Sequence, residues 1–234
     1  MRVPYRSRDD RPLVTSVSAS SLSDVDVVVV TYNSEHDIEG CIASVPSGCR
    51  LVVVDNASAD STVEVAGTAG VEVHASPINA GFGAGANAGV KLGDRDYVLL
   101  LNPDARLRTG TLEALVDHLE SHPDVAVVSP ALRRPDGGPQ RSSWPFPSAR
   151  SAWLEAFGLQ RLFGGRSSRF VIGACFLVRR TAFESVGGFD ARFWLYGEEA
   201  DLCFRLRAAG WGIDELSSVA DAVVHHVAAA TVRD

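Results

Sequence analysis

The sequence predicts an α/β fold with a mostly parallel central sheet flanked by helices. Two observations lead to this reading. Short, strongly apolar and β-branched runs at residues 25–31, 51–55 and 97–101 have the length and composition of strands buried on both faces. These runs alternate with stretches of helical period, joined by short connections, as a sheet covered on both sides requires.

Taken in order, residues 25–31 form the first strand. Residues 34–45 follow as a helix, with Ser34 a plausible N-cap ahead of acidic first-turn residues. A strand is expected at 51–55, and Ser58 or Asp60 caps the helix after it. Then come a strand at 71–74, a glycine- and alanine-rich helix at 81–92, a strand at 97–101, a helix at 110–121 and a strand at 125–129. Residues 131–168 break the rhythm with Pro135, Gly137, Gly138, Pro139, Pro145 and Pro147. They also hold Trp144, Phe146 and Trp153, and read as a long loop or lid of the kind that carries specificity. A strand at 170–179, helices at 181–186 and 198–209, and a final strand at 219–225 complete the chain. No internal repeat is visible. The second half, 131–226, completes the first, 25–130, so 23–234 reads as one domain behind a flexible tail at 1–22.

Bulk properties exclude several classes. The chain has 234 residues, 46% of them hydrophobic, enough for a real core. A net charge of -7 argues against nucleic acid as partner and against a polybasic membrane surface. No apolar run approaches the ~20 residues needed to span a bilayer, and the N-terminus lacks an apolar stretch of signal-peptide length. Cys41, Cys49, Cys175 and Cys203 show no ligand spacing. They read as buried thiols in a reducing compartment, which places the protein in the cytoplasm.

Chemistry is expected at the carboxyl ends of the strands, where open α/β sheets bind ligands. The first strand ends in Thr31-Tyr32-Asn33-Ser34, the second in Asp55-Asn56, and the fourth is followed by Asn102-Pro103-Asp104. An apolar strand that ends in an acid aims that acid at the crevice, although one such Asp is often only a turn-former. Asp104 suits Mg²⁺ or Mn²⁺, which take carboxylate oxygens and share their shell with water and phosphate. Asp55 could accept hydrogen bonds from a base or ribose. His225 or His226 could complete a metal or phosphate site, and a structural role for the pair is equally open. Glu199 begins a helix on whose inner face Cys203 and Leu206 also lie. A carboxylate aimed inward needs a partner or a task, which makes it the leading candidate for a catalytic base. Gly83-Ala84-Gly85-Ala86-Asn87-Ala88 satisfies the loose dinucleotide fingerprint, but it follows the third strand rather than the first. Its small residues are better explained by close approach of the helix to the sheet or to a ligand.

Together these motifs resemble the family 2 glycosyltransferases of GT-A fold, and within them the bacterial rhamnosyltransferase-like enzymes. The resemblance spans residues 25–226. It is carried by Val29-Val30-Thr31-Tyr32-Asn33, by Val53-Val54-Asp55-Asn56-Ala57-Ser58 and by Asn79-Ala80-Gly81-Phe82-Gly83 through Asn87. Leu101-Asn102-Pro103-Asp104, Gly173-Ala174-Cys175, Gly187-Gly188-Phe189-Asp190 and the block at 193–211 continue it. The order and spacing of the set make it specific.

The resemblance implies an inverting transfer of L-rhamnose or another hexose from a dTDP- or UDP-sugar, using Mn²⁺ or Mg²⁺. The acceptor would be a hydroxyl of a glycan, lipid-linked or small molecule in bacterial polysaccharide biosynthesis. Peripheral association with the inner face of a membrane is compatible with this. Thr31, Tyr32, Asn33 and Asp55 would line the nucleotide pocket in the first half of the chain. Asn79, Gly81, Phe82 and Asn87 would border nucleotide and donor sugar. Asn102 and Asp104 occupy the place of the DxD metal motif, with Asp104 the metal carboxylate and His225 a second donor. Glu199 matches the general base, where the family pattern has Asp; the extra methylene lets Glu198 or Asp201 share or take the role. A hydrolytic or non-catalytic nucleotide-sugar-binding relative is the alternative. A nucleotidyltransferase would need a Gly-rich, basic phosphate loop after the first strand, which Thr31-Tyr32-Asn33-Ser34 is not.

Overall fold

The computed structural model of the protein describes residues 22–146, 169–216 and 223–226. The tail to residue 21, Trp153 with the rest of the expected lid from 147 to 168, and residues 219–222 of the expected last strand lie outside the described residues.

A turn of 3-10 helix leads into β1 (Val25–Thr31), which is buried along its whole length. There follow α1 (Ile38–Ser44), β2 (Arg50–Asp55), α2 (Thr62–Thr68), β3 (Glu72–Ala75), α3 (Phe82–Lys91) and β4 (Tyr97–Leu101). The chain continues with β5 (Ala105–Leu107), α4 (Thr111–Ser121), β6 (Val125–Arg133), β7 (Pro139–Gln140), β8 (Ser143–Pro145) and β9 (Arg169–Val171). It ends with β10 (Cys175–Arg179), α5 (Arg180–Ser185), α6 (Glu198–Ala208), β11 (Gly212–Leu216) and β12 (Val223–His226).

The main sheet runs β3-β2-β1-β4-β10-β6-β12-β5, with β7 and β11 also paired to β6. Its first four strands are parallel to one another, as the apolar runs and short connections require. β10 enters antiparallel between β4 and β6, so the sheet is mixed. Alternate residues of β1 feed two cores. Val25, Val27 and Val29 pack with Ile38, Cys41, Ala66, Leu112 and Leu115, under α1, α2 and α4. Val28 and Val30 pack with Ala86, Val90, Phe183, Leu202 and Leu206, under α3, α5 and α6.

The glycines of α3 explain how closely that helix lies on the sheet. A Cβ at Gly89 would overlap Val28, and one at Gly85 would sit 2.8 Å from Val30 Cγ1. This is the close approach expected of the small residues there.

Several elements differ from expectation, each for a local reason. α1 starts at Ile38 rather than at Ser34, because the Ser34 carbonyl accepts the N–H groups of both Asp37 and Ile38 in a preceding turn. The helix after β2 starts at Thr62 behind Ser61. The long strand expected at 170–179 is two strands, β9 and β10, separated by Ile172–Ala174, where the Ile172 N–H donates to the Ser142 carbonyl and the Gly173 N–H to Glu199. The first part of the expected loop at 131–168 is ordered: β6 continues to Arg133, and the Pro135–Gly138 turn leads into β7. There the Arg134 N–H donates to the Gly138 carbonyl at 2.8 Å.

At the sheet end opposite the site, Asp26 of β1 is fully buried. Its Oδ2 accepts Arg180 Nη2 at 2.6 Å and the Arg95 N–H at 3.1 Å, and Arg50 lies 3.7 Å from Oδ1. Arg180 also donates from Nη1 to the Val90 carbonyl at 2.8 Å, which ties α5 to the end of α3. Breaking a buried pair leaves an uncompensated charge. Arg180→Met is therefore expected to lower unfolding stability by ~3–5 kcal/mol in urea titrations, with no change in the urea m-value.

Candidate active site

β1, β2 and β4 end on one edge of the sheet. Thr31 stands beside Asp55 and Val29 beside Leu101, so the turn at Asn102–Asp104 is level with Val30–Tyr32. With strands ~4.8 Å apart, Asp55 and that turn are separated by about 10 Å. The antiparallel β10 begins at the same edge, with Cys175 opposite Leu101. The Asn102 N–H donates to the Ala174 carbonyl at 3.0 Å. One residue further back, the Gly173 N–H donates to Glu199 Oε1 at 2.9 Å. Two hydrogen bonds through Gly173-Ala174 thus join the acid-bearing turn after β4 to the carboxylate at the start of α6.

The Asp55 side of the site is built as a clasp. Asp55 Oδ1 accepts Thr31 Oγ1 at 2.9 Å, and Oδ2 accepts the Ser58 N–H at 2.9 Å, so this buried carboxylate is held by its own neighbours. The loops after β1 and β2 are then stitched together. The Asn33 N–H donates to Ser58 Oγ, and Asn33 Oδ1 accepts the Ala59 N–H, each at 2.8 Å. The Ser34 N–H reaches Thr62 Oγ1 at 2.7 Å, and Glu35 exchanges bonds with Asp60 and the Ser61 N–H. Asn33 and Ala57 adopt positive φ, 50° and 62°, to allow this. Tyr32 projects outward, 53% exposed. Thr31, Asn33 and Asp55 thus carry the rim, and Ser58, Asp60 and Thr62 share that work. Their Ser/Thr/Asp-rich run after an apolar strand was the available signal.

The glycine turn before α3 is covered by the loop that precedes α6. Asn79 Oδ1 accepts the Gly81 N–H at 3.0 Å, and the Asn56 side chain donates to the Gly81 carbonyl at 3.0 Å. Gly81 has φ 87°, and a Cβ there would collide with the Trp194 carbonyl. Trp194 Nε1 in turn donates to the Asn79 carbonyl at 3.3 Å. Phe82 lies edge-on to Phe189, with ring centroids 5.7 Å apart, and its ring edge faces Gly173. Asn87, expected beside the donor, is employed elsewhere. Its carboxamide bonds both the carbonyl and the N–H of Phe189, at 2.8 and 2.9 Å, and so clamps the loop that starts at Gly187.

The first turn of α6 holds the three acids expected at the site, and the structure separates them. Burial, and then the charge of Glu198, push the Glu199 carboxyl up to about 7. Glu198 is buried, its Oε2 has no hydrogen-bond partner among the described residues, and burial raises its pKa as well. Asp201 pairs instead with Arg205, which donates from Nε at 2.8 Å and also holds the Val186 carbonyl. That ion pair occupies Asp201, whereas Glu198 and Glu199 are the two acids of this turn whose pKa is raised.

The Asn102–Asp104 turn is cradled from below by Cys41, whose thiol donates to the Asn102 carbonyl at 3.4 Å. Arg106 donates to the Pro103 and Ala105 carbonyls at 3.0 and 3.1 Å. Its guanidinium also lies 3.7 Å from Asp37 Oδ1, so it braces this turn against the start of α1, a role the strand-end reading missed. β12 pairs with β5, setting His225 beside Arg106 and His226 beside Ala105 in the backbone ladder. Among the described residues no three His, Cys, Asp or Glu side chains form a ready-made metal cage. One carboxylate with a histidine strand alongside fits a cation that draws its remaining ligands from phosphate and water.

The sequence profile of glycosyl transferase family 2 matches residues 26–187, and that of the N-terminal domain of galactosyltransferase matches residues 159–227. An N-acetylglucosaminyl-diphospho-decaprenol L-rhamnosyltransferase of Mycobacterium tuberculosis is 32% identical over 89% of this chain and 78% of its own length. A low-salt glycan biosynthesis hexosyltransferase of Haloferax volcanii is 25% identical over 94% of this chain and 72% of its own. Among solved structures, a mannosyltransferase from Pyrobaculum calidifontis in complex with GDP-Man and Mn²⁺ superposes with a TM-score of 0.67 at 18% identity. That match covers 95% of this chain and 62% of the other. S. aureus TarS, seen also with UDP, gives TM-scores of 0.63 and, with UDP, 0.61. The chain belongs to glycosyl transferase family 2 and has the GT-A fold of an α/β glycosyltransferase. It is a rhamnosyltransferase-like member of that family.

The raised Glu199 pKa has a measurable cost. The folded protein holds this proton more tightly than the unfolded chain, so stability is fully present below the ordinary value of 4.5 and falls as pH rises through about 7. Glu199→Gln, neutral throughout, is therefore expected to raise the melting temperature by a few degrees at pH 8 and by nothing at pH 4, read by thermal unfolding.

Proposed function

We propose that this protein transfers a hexose, L-rhamnose by its similarity to the Mycobacterium relative, from a dTDP- or UDP-sugar to an acceptor hydroxyl with inversion, and that Glu199 is the general base. The observation that carries this is the junction described above. A carboxyl group with a pKa of about 7 is fixed through Gly173-Ala174 to the turn that bears Asp104. With Oε1 anchored on the Gly173 N–H, Oε2 is left to receive the acceptor proton. The acceptor oxygen attacks the anomeric carbon from the face opposite the leaving group. The bond from that carbon to the diphosphate oxygen breaks and its electron pair departs with the nucleoside diphosphate. Tyr32 and the clasped loops after β1 and β2 would hold the nucleotide; Asn79, Gly81 and Phe82 would border the sugar. A divalent cation, Mn²⁺ or Mg²⁺, would be held by Asp104 and His225, and when bound it neutralises charge on the diphosphate. Arg106 adds a fixed positive charge to the same turn.

The acceptor side favours an amphiphilic molecule. Ile78, Trp194, Leu195 and Tyr196 form an exposed apolar ridge over the glycine turn. The Mycobacterium relative is named for transfer to a diphospho-decaprenol acceptor, and a lipid-linked acceptor on a peripherally bound enzyme fits the ridge. Among the described residues no helix is long and apolar enough to cross a membrane.

The test is a transfer assay with purified protein, a panel of UDP-, dTDP- and GDP-sugars, and Mn²⁺. Glu199→Gln is expected to lower turnover by ~100- to 10,000-fold with donor affinity retained. Asp104→Ala, or excess chelator, is expected to remove the metal-dependent rate. Near-normal turnover in either experiment refutes the corresponding role. A second measurement is the pH profile. Activity should rise with pH to a plateau, half-complete near 7. Glu198→Gln removes one of the charges that raise this value, so the rise should move to lower pH.

A further inference from the structure

The interruption between β9 and β10 is where the base is set. Gly173 sits there with its N–H on Glu199 Oε1, and the space in which a side chain would stand is occupied. A Cβ on Gly173 would overlap Glu199 Oε1, and would meet Phe82 Cε1 at 3.4 Å. Its φ lies outside the left-handed region, so the backbone does not demand glycine; the space does. The next residue, Ala174, accepts the Asn102 N–H.

We infer that Gly173 is a positioning residue for Glu199, leaving room for its side chain and fixing its carboxyl on the backbone N–H. The inference rests on the reading of Glu199 as base and adds a steric pairing to it. It also explains why the chain breaks its strand at this point. A continuous ladder through residue 173 would turn that N–H toward a neighbouring strand and leave Glu199 Oε1 without its donor.

Gly173→Ala is the sharp test, because alanine keeps the N–H and the backbone conformation and adds only the methyl group. In the transfer assay it should lower kcat by about 100-fold while changing donor KM by less than about threefold, as a displaced catalytic group does. The double variant Gly173→Ala/Glu199→Asp restores the room and should recover kcat to within about threefold of Glu199→Asp alone. The same four proteins, unfolded in urea at pH 8 without any substrate, should show non-additive stabilities, the double variant being more stable than the sum of its parts. Additive stabilities, or a Gly173→Ala enzyme with unchanged kcat, would overturn the pairing. Glu199→Gln, assayed in parallel, distinguishes this outcome from failure of the base assignment. If that variant is inactive and the four-protein cycle is additive, the base stands and the role of Gly173 falls.

Discussion

The site depends on one pairing, that of the antiparallel β10 against β4. Two of the three parallel strands bring acids to a common edge, but a parallel sheet alone would leave the helix bearing Glu199 with nothing to register against. By running backwards between β4 and β6, β10 starts where β4 stops. The backbone just ahead of β10 then touches both chemical halves. Ala174 meets the turn that bears Asp104, and Gly173 meets Glu199. Hydrogen bonds of main-chain groups vary little with side-chain change, so the spacing between the Asp104 turn and Glu199 is set by sheet geometry.

Electrostatics follow from the same placement. Glu199 is half-buried by the packing of α6, faces the Glu198 charge and accepts the neutral Gly173 amide. That leaves its proton affinity near neutrality. Asp201, two positions on, is half a helical turn away and finds Arg205 instead. Three acids within four residues thus acquire three different roles through the neighbours that the helix direction gives them.

Much of this was legible in the residues. The parallel half of the sheet, the strand ends at Asp55 and Asp104 and the inward face of Glu199 follow from apolar runs and helical period, and the motif order pointed to the family. What was not legible depended on long-range contacts. Nothing local in residues 170–179 shows a strand broken at Gly173, because the reason is a carboxylate 26 residues later. Asn87 stands in a glycine-rich motif that suggests a ligand, yet its partner is Phe189, 102 residues on. β11 carries Asp214 and Glu215 in a half-buried strand and so lacks the apolar run by which the others were found. Its acids bind His118 and the hydroxyls of Ser142 and Ser143.

The two banks of the crevice differ in how they are built. On one, the loops after β1 and β2 are sewn to each other by Asn33, Ser34, Glu35, Ser58, Asp60 and Thr62, so that neither shifts without the other. On the other, the segment from Phe189 to Gly197 is pinned at its start by Asn87 and touches the glycine turn through Trp194, while Leu195 and Tyr196 face solvent. Evolutionary drift in what the enzyme accepts is therefore cheap on the second bank and expensive on the first. Paralogues diverging from this scaffold would keep the sewn loops and vary the segment from Phe189 to Gly197.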